Sequence, residues 1–482
     1  MLKTQLKKKI LFSRSLKLSI LILDLLVFFF GLSLVFSLRL HKSWDQSLFE
    51  ITHSFGFYLM AFLQVAFLYI FGTFDLEKVN RFVTIVWRCV YSAILLLLVM
   101  SMINFLAGKE RAGIFGRGVL LLSVLFSLLM QMGYRYSFYT VLDNLKARLR
   151  WLFVGTKSLG EKLLADLKKN TEHTHQSAHN LFHGQMTFAF YEDESNLPEE
   201  PINSPYHLNW GWSKVESYLN QSWAGIIVGT ETDAQMDRVG QLLIQARFEG
   251  QRIFDINQFY ELNWRKVPIY FLNHSWFVFS EGFSLIGNPI GFKIKRLIDL
   301  ILSSILLLAT WPFMLVTALL IKIESPGDIL FRQIRTGKDG EPFSIFKFRS
   351  MRSDAEKDGA QWASKNDQRV TRVGKFIRLT RIDELPQLLN IFRGEMSFIG
   401  PRPERPEFNT LLEKEIPYYE MRHLVNPGLT GWAQVLYPYG ASVEDSKEKL
   451  QYELYYIKNY SLLLDLQIVL KTVGVVLLGR GR

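Results

Sequence analysis

The pattern of apolar and polar positions divides the chain into three stretches. The first contains four apolar runs long enough to cross a hydrocarbon core, at roughly 18–38, 51–71, 82–106 and 119–140. Lys3, Lys7, Lys8, Lys9, Arg14 and Lys17 precede the first run and no small-residue cleavage site follows it. It therefore reads as a span with its leading end in the cytoplasm, not as a removed leader. Four spans return the chain to that side, where Lys146, Arg148 and Arg150 stand, although Lys109, Arg111 and Arg117 put opposing charge in an outer loop. Asp24, inside the first run, reads either as a functional group or as a side chain packed within the bundle. Residues 1–149 are thus expected to form a four-helix transmembrane anchor.

The period then changes. Residues 151–154 followed by GTKSLGEKLLADL, and 224–228 followed by GTETDAQMDRVGQLLIQARFEG, each read as strand, turn and helix. This predicts a degenerate Rossmann-like α/β domain over 150–283. A dinucleotide fingerprint needs three glycines, but Gly155-x-Lys157-x-x-Gly160 has lysine in the middle, where a side chain blocks approach of a pyrophosphate to the backbone. No redox cofactor is expected there, and no tyrosine has a lysine four positions later to make an epimerase pair. His175, His179 and His183 recur every four residues, which suits zinc ligands on one helical face as well as a solvated polar stretch.

The third stretch, 284–482, begins with an apolar segment at about 294–323 that Trp311-Pro312 interrupts. A proline inside a helix removes a hydrogen bond and kinks it, so the segment reads as a bent span or a re-entrant hairpin. Lys293, Lys295 and Arg296 before it and Lys322 after it favour both ends at the cytoplasmic headgroups, with Asp299 as an interfacial anchor. Alternation on both sides of Gly337–Gly340 predicts a β-hairpin, and Lys347, Arg349 and Arg352 at its far end are either ordinary hairpin charges or cations aimed at a site. Leu385, Leu388, Leu389 and Phe392 line one face of a short helix, with Pro386 in its first turn and Gly394 at its C-terminal cap. Asp383 and Glu384 then sit at a helix N-terminus, where the plain reading is a cap and a dipole partner. Arg369, Arg372, Lys375, Arg378, Arg381 and Arg393 crowd around them, and arginines in such numbers favour a phosphorylated ligand. Gly400-Pro401-Arg402-Pro403-Glu404 is a stiff segment, 427–431 reads as a tight turn, and 462–478 reads as a helix lying on the membrane surface.

Composition narrows the field. With 482 residues, 49% hydrophobic content and 38 phenylalanines, the chain is too long for one ordinary domain and too apolar for a simple soluble one. The net charge of +11 sits at membrane edges and around the carboxylate pair, so it points to anionic lipid and phosphate, not nucleic acid. A single cysteine, Cys89, excludes an internal disulfide and a multi-cysteine zinc site.

The segments RIDELPQLLNIFRGEMSFIGPRPE from Arg381, KFRSMRSDAEKDG from Lys347 and RHLVNPGLTGWAQV from Arg422 resemble the polyprenyl-phosphate glycosyl-1-phosphate transferases, the monotopic phosphoglycosyl transferases. The likeness runs from about residue 293 to the C-terminus, and IGPRPERPEF with the tail YPYGASVEDSKEKLQYELYYIKNY is most similar to the exopolysaccharide-associated branch of long-form members. It implies a bacterial inner-membrane enzyme whose catalytic domain faces the cytoplasm. Asp383 would attack a UDP-sugar, expel UMP and hold the sugar phosphate until undecaprenyl phosphate takes it, with Glu384 as the Mg²⁺ ligand. Arg378 would position the nucleophile, and Lys347, Arg349, Arg352 and Arg381 would steady phosphate charge. Arg402 and Glu404, held between Pro401 and Pro403, would bind the nucleotide, with Trp432 and Gln434 near the active site. The family's re-entrant helix usually bends at Ser-Pro, and Trp311 replaces that serine ahead of Pro312. The rival reading is an idle membrane scaffold or nucleotide sensor of a polysaccharide system. The sugar is not fixed by the residues, and a homodimer through the middle domain stays open.

Overall fold

The computed structural model describes residues 14–41, 43–74, 82–107, 116–147, 150–172, 185–191, 206–229, 233–272, 274–283, 289–352, 369–437, 440 and 442–477. The chain divides into two compact units, Met1–Trp264 and Arg265–Arg482. His175, His179, His183, Lys109, Arg111 and Arg148 lie outside the described residues.

In the first unit, α1 (Arg14–Leu40), α4 (Phe82–Ala107) and α5 (Arg117–Ala147) coincide with three of the expected spans. The second expected span is broken: α2 (Trp44–Thr52) and α3 (Phe55–Ile70) meet at a bend of 78°. Ser43 caps α2 through the Gln46 amide, and Ser54 adopts extended backbone that ends helical propagation before α3 begins. The bundle core is built from Phe28, Leu32, Phe36, Met60, Leu96 and Met100. Asp24 is packed inside it. Its carboxylate lies 2.6 Å from Arg135 Nη2 and accepts from Tyr134 Oη, while Arg135 Nη1 donates to Thr73 O. Low-dielectric surroundings leave such a charge no stable state except a paired one, so it is a structural tie between α1 and α5.

The same unit contains a five-stranded parallel sheet in the order β3-β2-β1-β4-β5. Its strands are β1 (Arg150–Gly155), β2 (Gln185–Phe190), β3 (Tyr206–Trp210), β4 (Gly225–Gly229) and β5 (Ile253–Asp255). They are joined or flanked by α6 (Lys157–Glu172), α7 (Trp212–Leu219), α8 (Asp233–Phe248) and α9 (Ile256–Trp264). Strand β4 is buried along its length, as expected where helices cover both faces. A Cβ on Gly155 would stand 2.4 Å from Gly229 O and one on Gly160 2.3 Å from the Phe190 ring. Both glycines are thus required by close packing, whatever else they do.

In the second unit, residues 265–272 and 274–283, expected in the middle domain, belong with the C-terminal part. Val267 N donates to Gln451 O, and Val267 and Ile269 are buried against Leu412, Leu450 and Leu454. After α10 (His274–Phe279) comes α11 (Pro289–Glu324), a 36-residue helix that continues through Pro312. The hairpin is confirmed as β6 (Leu330–Thr336) paired antiparallel with β7 (Pro342–Phe348), turning through Asp339 and Gly340 at positive φ. Next are α12 (Arg372–Leu379), α13 (Gln387–Arg393), β8 (Ser397–Ile399) and α14 (Pro406–Glu415). The chain ends with β9 (Gly428–Thr430), α15 (Trp432–Leu436), α16 (Val443–Lys458) and α17 (Leu462–Leu477).

Three expectations are corrected here. The expected turn at 427–431 contains β9, paired in parallel with β8, and the glycines allow the backbones to touch: a Cβ on Gly428 would lie 2.1 Å from Gly400 N. On α13 the buried face is Leu388 and Ile391, packed with Ile345, Met396 and Leu307, whereas Leu389 and Phe392 are exposed. The seven-residue helix is too short for the full apolar stripe to face inward, and it follows a 3₁₀ turn that resets its phase. Lys295, Arg296 and Asp299 are internal ties and not headgroup anchors. Lys295 Nζ pairs with Asp465 at 2.8 Å, Arg296 donates to Ile391 O and Phe392 O, and Asp299 accepts from Phe398 N.

Among the described residues, four helices (α1, α4, α5 and α11) are long and apolar enough to cross a membrane, and the bent α2–α3 pair is a fifth if it counts as one span. Removing only one partner of the Asp24–Arg135 pair strands a buried charge, so Asp24→Leu is expected to destabilise the anchor by about 3–5 kcal/mol. The double variant Asp24→Leu/Arg135→Leu should recover most of that loss. Thermal unfolding of both variants in detergent measures this, and equal loss in the two would show that the pairing itself is not the source.

Candidate active site

The site is assembled from a turn, a strand and a loop. Thr371 caps α12 through the Gly374 amide, and α12 ends at Thr380. Arg381 then takes left-handed backbone (φ 60°), which reverses the chain into a 3₁₀ turn over Ile382–Glu384. Pro386 starts α13 and Gly394, at φ 90°, ends it, as the sequence predicts. Asp383 and Glu384 therefore precede the helix and do not cap it.

Glu384 Oε1 is the meeting point of three cations: Arg402 Nη2 at 3.1 Å, Arg381 Nη1 at 3.5 Å and Lys347 Nζ at 3.6 Å. Burial opposes its charge, but Arg402, Lys347 and Arg381 outweigh that and hold its pKa near 2. Asp383 behaves oppositely. Burial first and the neighbouring Glu384 charge second push its pKa up to about 6, and its Oδ1 is buried with no hydrogen-bond partner. Burial likewise brings Lys347 down to about 8. The pair thus holds one carboxylate kept charged by three cations beside one whose charge is disfavoured and whose Oδ1 has no partner.

Both open into a cleft of about 1760 Å³. Its lining includes the cationic side chains of Arg332, Lys347, Arg352, Arg369, Arg378 and Arg402 and the apolar side chains of Leu306 from α11 and Val469, Val473 and Val476 from α17. Arg349, Arg381, Glu404 and Gln434 also line it. Arg349 is engaged, donating to Ser325 O, Ser325 Oγ and Pro326 O, so it ties the end of α11 to the hairpin. Glu404 lies 3.6 Å from Arg335, and Gln434 donates to Leu429 O while its buried Oε1 has no partner. Pro401 and Pro403 shape the loop through their carbonyls, which accept from Gly428 N and Arg335 Nη1. Trp311, exposed on α11, and Pro312 are not among the lining residues. Arg335, Arg422 and Glu453 also line the cleft, at positions that spacing along the chain does not mark as site groups. Arg422 and Glu453 are 31 positions apart, so no local spacing pairs them.

No cluster of three or more His, Cys, Asp or Glu side chains able to hold a metal occurs among the described residues. Adjacent carboxylates, one with an unpartnered oxygen, still suit Mg²⁺, which takes one or two protein carboxylates and completes its six ligands with phosphate oxygens and water.

Such a domain, with a helix long and apolar enough to cross a membrane and a cleft that joins cationic side chains to a carboxylate pair, belongs to a class of membrane-associated proteins. More closely, the chain belongs to the bacterial sugar transferase family, whose description its residues 290–479 match. It is 50% identical over 198 residues to the UDP-N-acetylgalactosamine-undecaprenyl-phosphate N-acetylgalactosaminephosphotransferase of Aeromonas hydrophila, covering 41% of this chain and 47% of the relative. It is 48% identical over 181 residues to the UDP-glucose:undecaprenyl-phosphate glucose-1-phosphate transferase of Xanthomonas campestris pv. campestris, 37% of each chain. A third relative, the exopolysaccharide production protein PSS of Rhizobium leguminosarum bv. phaseoli, is 42% identical over 186 residues, 37% of this chain and 93% of the relative. The chain thus spans less than half the length of the first two relatives.

The electrostatics of Asp383 carry a stability consequence. Its folded pKa, about 6, is above the ordinary value of 3.8, so ionising it costs folding free energy that is absent well below pH 4 and complete above about pH 6. Asp383→Asn should therefore stabilise the protein by about 1–3 kcal/mol at pH 8 and by almost nothing at pH 4. Melting curves in EDTA at the two pH values test this; a destabilised variant at pH 8 would refute it.

Proposed function

We propose that this protein transfers a sugar 1-phosphate from a UDP-sugar to undecaprenyl phosphate, releasing UMP, as an initiating step of exopolysaccharide or other surface-glycan synthesis. The observation that carries the reading is Asp383, whose buried Oδ1 has no hydrogen-bond partner, in the lining of a cleft that also carries cationic and apolar side chains. The relatives' names, which pair UDP-sugars with undecaprenyl phosphate, support the substrate classes. That these names differ in the sugar leaves the sugar unassigned here.

The reaction proceeds in two displacements at one phosphorus. The Asp383 carboxylate attacks the β-phosphorus of the donor; the bond to the oxygen bridging the two phosphates breaks, and UMP leaves with that oxygen and its electron pair. A terminal oxygen of undecaprenyl phosphate then attacks the same phosphorus, the bond to Asp383 breaks, and the carboxylate is restored. Dividing the transfer in this way replaces one difficult step with two easier ones. Arg402, Lys347 and Arg381 keep Glu384 ionised and offer donors to phosphate oxygens, and Arg378, in the last turn of α12, orients the nucleophile's turn. Mg²⁺, held by Glu384 and phosphate oxygens, would neutralise the diphosphate charge that otherwise repels Asp383.

The acceptor accounts for the apolar residues in the cleft lining, because a polyprenyl tail must lie against hydrocarbon while its phosphate reaches the cations. Helix α11 supports a re-entrant reading. Its first turns bind α13 and β8 through Arg296 and Asp299, and its last residue, Glu324, accepts from the Arg372 and Val373 amides at the start of α12. Both ends thus meet one domain, while Leu308, Trp311, Phe313 and Ile323 project outward unburied. On this reading the cleft lies on the cytoplasmic face of the inner membrane, where nucleotide sugars are. The 3-2-1-4-5 parallel order of the middle sheet supports a Rossmann-like accessory domain in which Gly155 and Gly160 serve close packing.

Two experiments test this. Purified protein in lipid nanodiscs should release UMP from UDP-glucose or UDP-N-acetylgalactosamine, lose that activity in EDTA and regain it with Mg²⁺. Intact mass should show one sugar phosphate on Asp383, and Asp383→Asn should lose the adduct and at least about 1000-fold in rate. Full activity in the asparagine variant would rule out the covalent route. For topology, single cysteines at Lys293 and Asp328 in a Cys89→Ala background should both resist an impermeant maleimide in intact cells and both react once the inner membrane is opened. Labelling of only one in intact cells would mean that α11 crosses.

A further inference from the structure

The Pro401–Glu404 segment has no regular secondary structure, yet all four of its carbonyls are bonded. Pro401 O accepts from Gly428 N at 2.7 Å, Arg402 O from Arg422 Nη2 at 2.8 Å, Pro403 O from Arg335 Nη1 at 3.0 Å and Glu404 O from Thr336 N at 2.9 Å. Two prolines fix φ on either side of Arg402. A loop so held is far stiffer than its irregular backbone suggests, and the only long side chain it aims at the carboxylate pair is that of Arg402.

Two of the four tethers are themselves anchored arginine side chains. Arg422 is buried, and its Nε and Nη2 each meet one oxygen of Glu453 at 2.9 Å while Nη1 donates to Tyr419 Oη. Its planar fork thus serves Glu453, Tyr419 and the Arg402 carbonyl at once, a geometry that a lysine cannot reproduce. Arg335, on β6, donates through Nη2 to Gln333 Oε1 at 2.6 Å and lies 3.6 Å from the Glu404 carboxylate. The first tether comes from the core beneath α16 and the second from the hairpin, so the loop is braced from two independent directions.

We infer that Arg422, with Glu453, and Arg335 are positioning residues of the proposed transfer reaction, which hold the Arg402 backbone so that its guanidinium meets Glu384 and an incoming phosphate in a fixed place. The inference rests on the function proposed above and deepens it. Since they act through Arg402, their contribution should vanish when Arg402 has no guanidinium to aim.

A double-mutant cycle tests this with the full chain in lipid nanodiscs, measuring UMP release from whichever UDP-sugar wild type uses. Arg422→Lys and Arg335→Gln should each lower kcat/KM by roughly 10-fold to 100-fold, the scale expected when a charged group is displaced by about an ångström. In an Arg402→Ala background the same substitutions should change kcat/KM by less than about twofold. A general folding defect would persist in that background, and melting curves of every variant would reveal it. If Arg422→Lys does not fold, Arg335→Gln, at the rim of the hairpin, carries the cycle alone. Losses that add in the Arg402→Ala background, or single variants that lose nothing, would overturn the inference while leaving the transfer reaction intact. A wild type that releases no UMP would overturn the reaction and the inference with it.

Discussion

Glu384 and Asp383 are adjacent, partly buried carboxylates in one cleft, and their mutual repulsion is the constraint around which the C-terminal unit is organised. Lys347, Arg381 and Arg402 converge on one oxygen of Glu384 and keep that group ionised. No comparable contact reaches Asp383 Oδ1. The asymmetry is what gives two chemically similar groups different characters, since burial and a like charge raise one pKa while three cations lower the other. Each of the three cations comes from a different element: the β7 strand, the left-handed residue before the 3₁₀ turn, and the proline-bound loop. The hairpin, the turn and the loop must therefore all be in place before the carboxylate pair has its charge distribution.

The second constraint is imposed by the membrane. An apolar helix of 36 residues is about 54 Å long at 1.5 Å per residue, well beyond a hydrocarbon core of about 30 Å. Such a helix must tilt, bend or lie against protein. Here a stripe that includes Lys295, Asp299, Ser303, Leu307 and Ile321 is turned toward the domain and buried or partly so, while large apolar residues cover the other faces. The same helix places Leu306 and Thr310 in the cleft, so the surface that meets lipid and the surface that meets the carboxylates belong to one element. Two of the buried charges inside the apolar parts are paired across helices, Asp24 with Arg135 in the anchor and Lys295 with Asp465 between α11 and α17. In each case a side chain that looks anomalous in an apolar run is a cross-link between two helices.

Much of this was determined by the sequence alone. Apolar runs of spanning length, the change of period at about residue 150, the hairpin around Gly337–Gly340 and the short helix between Pro386 and Gly394 all depend on local spacing, and local spacing is what periodicity and turn chemistry report. The carboxylate pair was legible because Asp383 and Glu384 are contiguous and the arginines around them dense. Only the tertiary structure decided which cations meet Glu384, since Lys347, Arg381 and Arg402 span 55 positions and equally basic neighbours such as Arg349 turn instead to Ser325 and Pro326. It also decided that Lys295 pairs with Asp465 across 170 positions, that β9 forms where a turn was expected, and that Arg422 and Glu453 brace the loop bearing Arg402. The physical reason is common to all of these. A charge or a backbone amide is satisfied by whatever partner the fold brings within about 3 Å, and that partner's distance along the chain has no bearing on the bond.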